Sequence, residues 1–361
     1  MFYHVRARCE NQQVLSHSQN QLARENDTAL DISKESLPPQ SGSSPPSPPL
    51  ESAFFGPHGL RAGWRLAIYV AIYYVLRFVL QAGLIPLYSG PQVRLSPLWA
   101  FLITESLLLV IAIVPTIFMC RLEHRPFGAY GLPRWNAFGK NFWVGVLWGL
   151  LAISGLLLIM RVAGVFYFGG LALHGLRILK FAAFWGVMFL IVGFREEFLF
   201  RGYSLFTLTD GVGFWPAAFL LSSFFGYVHG SNPGESWVGL VGVVVIGLFF
   251  CFTVRRTGNL WFAVGMHAAW DWSETFLYSV PDSGLVLPGH LMNPSFHGSR
   301  WLTGGTVGPE GSVLLIVLIA VLWVVFHRVY PGVNYPPQGQ RDTANVVAHP
   351  LGDASQPSAS A

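Results

Sequence analysis

The chain has 361 residues, of which 52% are hydrophobic and 11% charged, with a mean hydropathy of +0.47. Ordinary globular chains carry about 25% charged residues, so a water-soluble domain is excluded, and the 29 Phe, 13 Trp and 12 Tyr suit lipid. The net charge of +4 is scattered between apolar runs, which argues against a nucleic-acid partner, and Cys9, Cys120 and Cys251 lie too far apart for a Cys-x-x-Cys site.

Residues 1–53 hold six acids against four bases and end in the Ser/Pro run from Ser41 to Pro49. Such a segment buries too little apolar area to offset chain entropy, so a disordered arm is expected. It has no apolar stretch behind a basic start, so no cleaved signal peptide is expected either. Residues 54–335 form the expected transmembrane domain, with a motif-bearing core at about 120–280. Residues 336–361 read as a disordered polar tail without a prenylatable Cys.

A spanning helix needs about 20 apolar residues. Segments 64–88, 97–119, 141–163, 181–205, 214–230, 237–254, 260–280 and 311–330 approach that length. The predicted fold is therefore all-α, a polytopic integral membrane helix bundle of about eight transmembrane helices. Nine basic residues flank one set of ends (Arg61, Arg65, Arg121, Arg125, Arg134, Lys140, Arg255, Arg256 and Arg328) and five the other (Arg94, Arg161, Arg177, Lys180 and Arg300). By the positive-inside rule both termini are predicted to be cytoplasmic, in the cell membrane if the source is bacterial. The Gly/Pro-rich stretch from Pro281 to Gly311 reads as a long external loop.

Ionisable residues at membrane depth are costly and mark function by default. Arg77 and Glu105 each fall about 18 Å from the inner face, so a structural ion pair between the first two spans is expected. The fourth span carries Arg195-Glu196-Glu197-Phe198-Leu199-Phe200-Arg201. Glu197 and Arg201 are four apart and meet on one helical face, which leaves Glu196 pointing elsewhere as a poorly solvated carboxylate suited to general-base work. The fifth span ends Phe225-Gly226-Tyr227-Val228-His229, and the seventh carries His267 with Asp271 one turn on. Two buried histidines, an acid pair and an acid partner on three spans are explained most simply by convergence on one site.

In these residues the sequence resembles the CAAX protease and bacteriocin-processing family of intramembrane endopeptidases, which includes the type II prenyl-protein proteases. The resemblance rests on Glu-Glu-x-x-x-Arg at Glu196 to Arg201, Phe-x-x-x-His at Phe225 to His229, and His-x-x-x-Asp at His267 to Asp271, in the family's order. The Arg125-Pro126 to Gly131-Leu132 stretch adds to it. It implies peptide hydrolysis by a water held between Glu196 and His229, with His267 and Asp271 stabilising the oxyanion, and Glu197, Arg201 and Phe225 in structural support. Asp271 stands where the best-studied members of the family have Asn, so its carboxylate would orient His267 or act protonated. Depth matching requires the fourth helix to extend through Tyr203 to Leu208.

No cofactor is expected on this reading. The alternative chemistry is Zn²⁺ held by Glu196, His229, His267 and Asp271, whose bound water becomes the nucleophile. The expected partners are the lipid bilayer and a membrane-associated protein or peptide substrate, CAAX-type or bacteriocin-like, with the oligomeric state left open. A transporter or ion or proton pathway using the same cluster is the alternative function, and a silent scaffold a third.

Overall fold

The computed structural model describes residues 53–56, 59–89 and 96–336. The expected N-terminal arm and C-terminal tail, with Cys9 and Arg94, therefore lie outside the described residues apart from positions 53 and 336. Helices dominate the segment from residue 59 onward: α1 (Ala62–Ser89), α2 (Pro97–Leu122), α3 (Lys140–Val162), α4 (Leu176–Arg201), α5 (Tyr203–Val212), α6 (Phe214–His229), α7 (Trp237–Thr257), α8 (Trp261–Trp272), α9 (Arg300–Thr303) and α10 (Val313–Val329). Strand β1 (Phe166–Tyr167) pairs antiparallel with β2 (Ser295–Phe296). The chain is an all-α polytopic membrane helix bundle.

Helix ends follow local chemistry. Pro97 opens α2, where its missing N–H costs nothing. The Ser236 hydroxyl accepts from the Gly239 N–H at the start of α7, and Gly258, at φ 76°, ends that helix in the left-handed region. Ser312 caps α10 in the same way through the Leu314 N–H.

Five stretches are long and apolar enough to cross a membrane: Ala62–Gly83, Pro97–Leu122, Lys140–Val162, Leu176–Val212 and Trp237–Thr257. The other three expected spans form shorter helices, of 16 residues in α6, 12 in α8 and 17 in α10. A π-helical stretch, Ser273–Tyr278, lengthens α8. The apolar run from 176 to 212 is helical as expected, but not as one rod. Gly202, at φ −80° and ψ −121°, breaks it into α4 and α5. A side chain at 202 would collide with the Phe198 carbonyl, so the turn depends on glycine.

Helix α8 sits at the centre, packed on α3 and α4. Gly145 and Gly149 lie one turn apart on α3, where a Cβ would run into the carbonyl oxygens of Phe262 and Met266 of α8. Small residues at this spacing let two backbones touch, which is how helices associate where lipid removes the hydrophobic drive. Ala152, Ile153 and Leu156 of α3 continue the seam against Phe262, Met266, Phe249 and Phe326. The outward side chains Val75, Phe78, Leu151 and Val162 are exposed and apolar, as lipid contact requires.

Candidate active site

Helix α4 brings Arg195, Glu196, Glu197 and Arg201 into the bundle, α6 brings Phe225 and His229, and α8 brings His267 and Asp271. Glu196, His229, His267 and Asp271 line one cavity of about 270 Å³, which is walled by Phe101, Phe189, Val192, Phe250 and Trp270. The Glu196 Oε2 atom faces both imidazoles, with His267 Nε2 at 3.7 Å and His229 Nε2 at 4.0 Å. Asp271 Oδ2 lies 3.5 Å from the same His267 Nε2.

Both rings are oriented through their other nitrogen. His229 Nδ1 lies 2.8 Å from the Phe225 carbonyl oxygen, and His267 Nδ1 lies 2.9 Å from Glu197 Oε1. A carbonyl only accepts, so His229 Nδ1 carries the proton, and a carboxylate at Nδ1 of His267 favours the same tautomer. Each ring thus turns Nε2 to Glu196. His267 also stacks on Phe250 with 5.4 Å between centroids.

Glu197 and Arg201 are wholly buried and paired at 3.2 Å. The Arg201 guanidinium lies over the Phe225 ring at 4.4 Å, so the aromatic member of the second motif faces the cation of the first. Gly247 of α7 makes room for it, since a Cβ there would come 2.7 Å from Arg201 Nη2. Glu197 therefore links Arg201 to His267, a connection between α4 and α8 that helical spacing alone does not reveal.

Two expectations are corrected. Glu196 is not an uncompensated carboxylate: Arg195 Nη2 lies 2.6 Å from its Oε1. The same guanidinium holds Glu105 Oε2 at 2.6 Å through Nε, so Glu105 pairs with α4 and not with Arg77, which donates to the Tyr73 hydroxyl at 3.4 Å. Matched depth fixes the height of two groups but not the azimuth at which their helices face. Glu105 turns towards α4, where one guanidinium bridges two carboxylates.

Sequence reasoning also missed acids on the far wall. Asp282 and Glu310 line the same cavity, and with Glu274 they form, among the described residues, a trio of carboxylates with oxygens mutually within 4.8 Å. Glu274 stands three residues after Asp271 inside an expected span, a signal that was legible; Asp282 and Glu310 belong to a segment read only as a loop. Glu196, His229, His267 and Asp271 do not meet that distance condition as a set of metal donors.

Residues 178–273 match the family model described as type II CAAX prenyl endopeptidase Rce1-like, a span that contains all three motifs. No curated protein matches the chain significantly. The stretch that supplies Glu196, His229, His267 and Asp271 is thus Rce1-like, in agreement with the family resemblance that its motifs carry.

Proposed function

We propose that this protein is a CAAX-type intramembrane endopeptidase that cleaves a membrane-associated protein or peptide with a water held between Glu196 and His229. The spacing of Glu196 Oε2 and His229 Nε2 carries the reading: 4.0 Å is too long for a direct hydrogen bond and suits one bridging water. With Nδ1 of His229 committed to the Phe225 carbonyl, Nε2 is an acceptor. The water donates one hydrogen to Nε2 and the other to Glu196, which turns an oxygen lone pair into the cavity.

As the water oxygen adds to the scissile carbonyl carbon, Glu196 takes its proton, and the carbonyl electrons move onto oxygen. The charged form of His267, flanked by Glu197 and Asp271, presents Nε2–H to that oxyanion. Collapse of the adduct breaks the C–N bond while Glu196 passes its proton to the departing amine, so the base is restored. Arg195 holds Glu196 in place, and Asp271 acts on His267 rather than on the oxyanion, which accounts for an acid at that position.

The test is cleavage of a farnesylated CAAX peptide by purified protein in detergent. Glu196→Ala and His229→Ala are each expected to lower the rate by at least about 100-fold with the melting temperature retained. Near-normal cleavage by either folded variant would overturn the assignment. The apolar walls and the resemblance favour a CAAX-type substrate; cleavage of a bacteriocin-like precursor, with the CAAX peptide inert, would keep the chemistry and reassign the substrate.

A further inference from the structure

The trio on the far wall has no part in this chemistry. Glu274 leaves α8 within the π-helical stretch, whereas Asp282 and Glu310 stand at the two ends of the 281–311 segment. That segment is drawn together at its neck, where the Gly284 N–H donates to the Val307 carbonyl at 3.0 Å and the Ser283 N–H and hydroxyl both donate to Glu310 Oε2, at 3.1 and 2.6 Å. Asp282 Oδ2 accepts from Thr275 Oγ1 at 3.0 Å. Asp282 and Glu310 thus each have one oxygen held by the protein, and each offers a carboxylate oxygen to the trio.

Glu274 is different. It is wholly buried, and neither of its carboxylate oxygens is within hydrogen-bond geometry of a partner among the described residues, the Trp270 side chain being a neighbour just outside it, although one oxygen lies within 4.8 Å of both other acids. No Lys, Arg or His among the described residues forms an ion pair with any of the three. A wholly buried carboxylate without a counter-charge either takes up a proton or binds a positive ligand, and Glu274 stands in that position between the half-buried Asp282 and Glu310. Shared protons would join the acids by short oxygen-to-oxygen hydrogen bonds, and Glu274 makes none.

We propose that Glu274, Asp282 and Glu310 bind a hard divalent cation of the Ca²⁺ class that clasps the 281–311 segment onto the end of α8. The donors are all oxygens, carboxylates with the Thr275 and Ser283 hydroxyls beside them, and two of the three acids lie outside the long helices, Asp282 at a β-bridge and Glu310 in a three-residue 3₁₀ turn, as suits a large, loosely coordinated ion. Thiolate or imidazole, which softer metals prefer, is absent from the trio. Leu285 and Leu287, carried by the clasped segment, line the Glu196 cavity, so the ion holds one wall of that cavity shut. The proposal stands on its own observations and does not depend on the chemistry assigned to Glu196.

The experiment uses the full chain in detergent, stripped with EGTA, and measures its melting temperature against CaCl₂, MgCl₂ and MnCl₂ at constant ionic strength. Tb³⁺ luminescence excited through Trp270 and Trp272 gives a second readout. A cation at a hundred times its dissociation constant favours the folded state about 100-fold, which appears as a rise of roughly 5 to 10 °C. We expect such a saturable rise with at least one of the three salts, and Tb³⁺ emission that the same salt displaces. Glu274→Gln and Asp282→Asn should each lose both responses; Asp282 lies in the loop, so its variant reports even if the buried change fails to fold. Absence of any rise in the wild type, or an undiminished response in Asp282→Asn, would overturn the site, as would a Glu274→Gln chain that melts higher with no cation response.

Discussion

Replacing Arg201 with Met tests whether Glu197 is held by charge. Both side chains have zero exposure and lie 3.2 Å apart, so the substitution keeps most of the volume and strands a carboxylate with His267 Nδ1, at 2.9 Å, as its remaining partner. Removing one member of a buried pair costs about 3 to 5 kcal/mol. The lost contact with the Phe225 ring adds to the cost, and the remaining histidine offsets part of it. In a chain of this size each kcal/mol moves the melting temperature by about 2 to 4 °C, so a fall of roughly 6 to 20 °C is expected. Adding Glu197→Gln to Arg201→Met removes the stranded charge, and the double variant should be more stable than the sum of the two single losses by at least about 1 kcal/mol. Thermal unfolding followed by size-exclusion of the surviving fraction measures all three chains. Wild-type melting in Arg201→Met, or strict additivity in the double variant, would refute a load carried by the ion pair.

Asp271→Asn should retain cleavage, because an amide oxygen still accepts from His267, and prolonged treatment with phenanthroline, which takes zinc and leaves a Ca²⁺-class ion in place, should leave both chains active; loss of one bound zinc together with activity would instead establish a metal mechanism. Gly149→Val should lower the melting temperature by at least several degrees, since a branched side chain meets the Met266 carbonyl with no room to move; an unchanged melting curve would show that α3 and α8 are not in backbone contact.

The helices were legible because lipid demands long apolar runs, and each of the eight expected segments coincides with helix. The fifth, seventh and eighth segments are longer than the helices they contain, since hydropathy measures apolar content and says nothing of where backbone bonding stops. Within one helix, spacing was sufficient: Glu197 meets Arg201, and His267 meets Asp271, each four residues on. Between helices it was not. Arg195 sits beside Glu196 in the sequence, yet its reach to Glu105 depends on how α2 is rotated against α4, and the bond from Glu197 to His267 depends on the glycine seam that sets the height of α8. The Glu274, Asp282 and Glu310 trio was hidden for another reason, because residues from an irregular segment converge by loop closure, which has no period to read.

The glycine seam limits how the molecule moves. Where Gly145 and Gly149 abut the carbonyls of Phe262 and Met266, no side chain intervenes to swing aside, and a slide of α8 by one residue would drive the next Cβ into the backbone opposite. Helix α8, with His267 and Asp271, is therefore a fixed rail against α3. A polypeptide entering the cavity has to displace something else, and α6, a 16-residue helix that carries His229 at its last residue and is followed by the loop at 230–236, is one wall at which that can happen. On the proposed mechanism, opening there would separate His229 from Glu196 and closing would bring them back within reach of one water, so admission of substrate and assembly of the nucleophile would be the same movement.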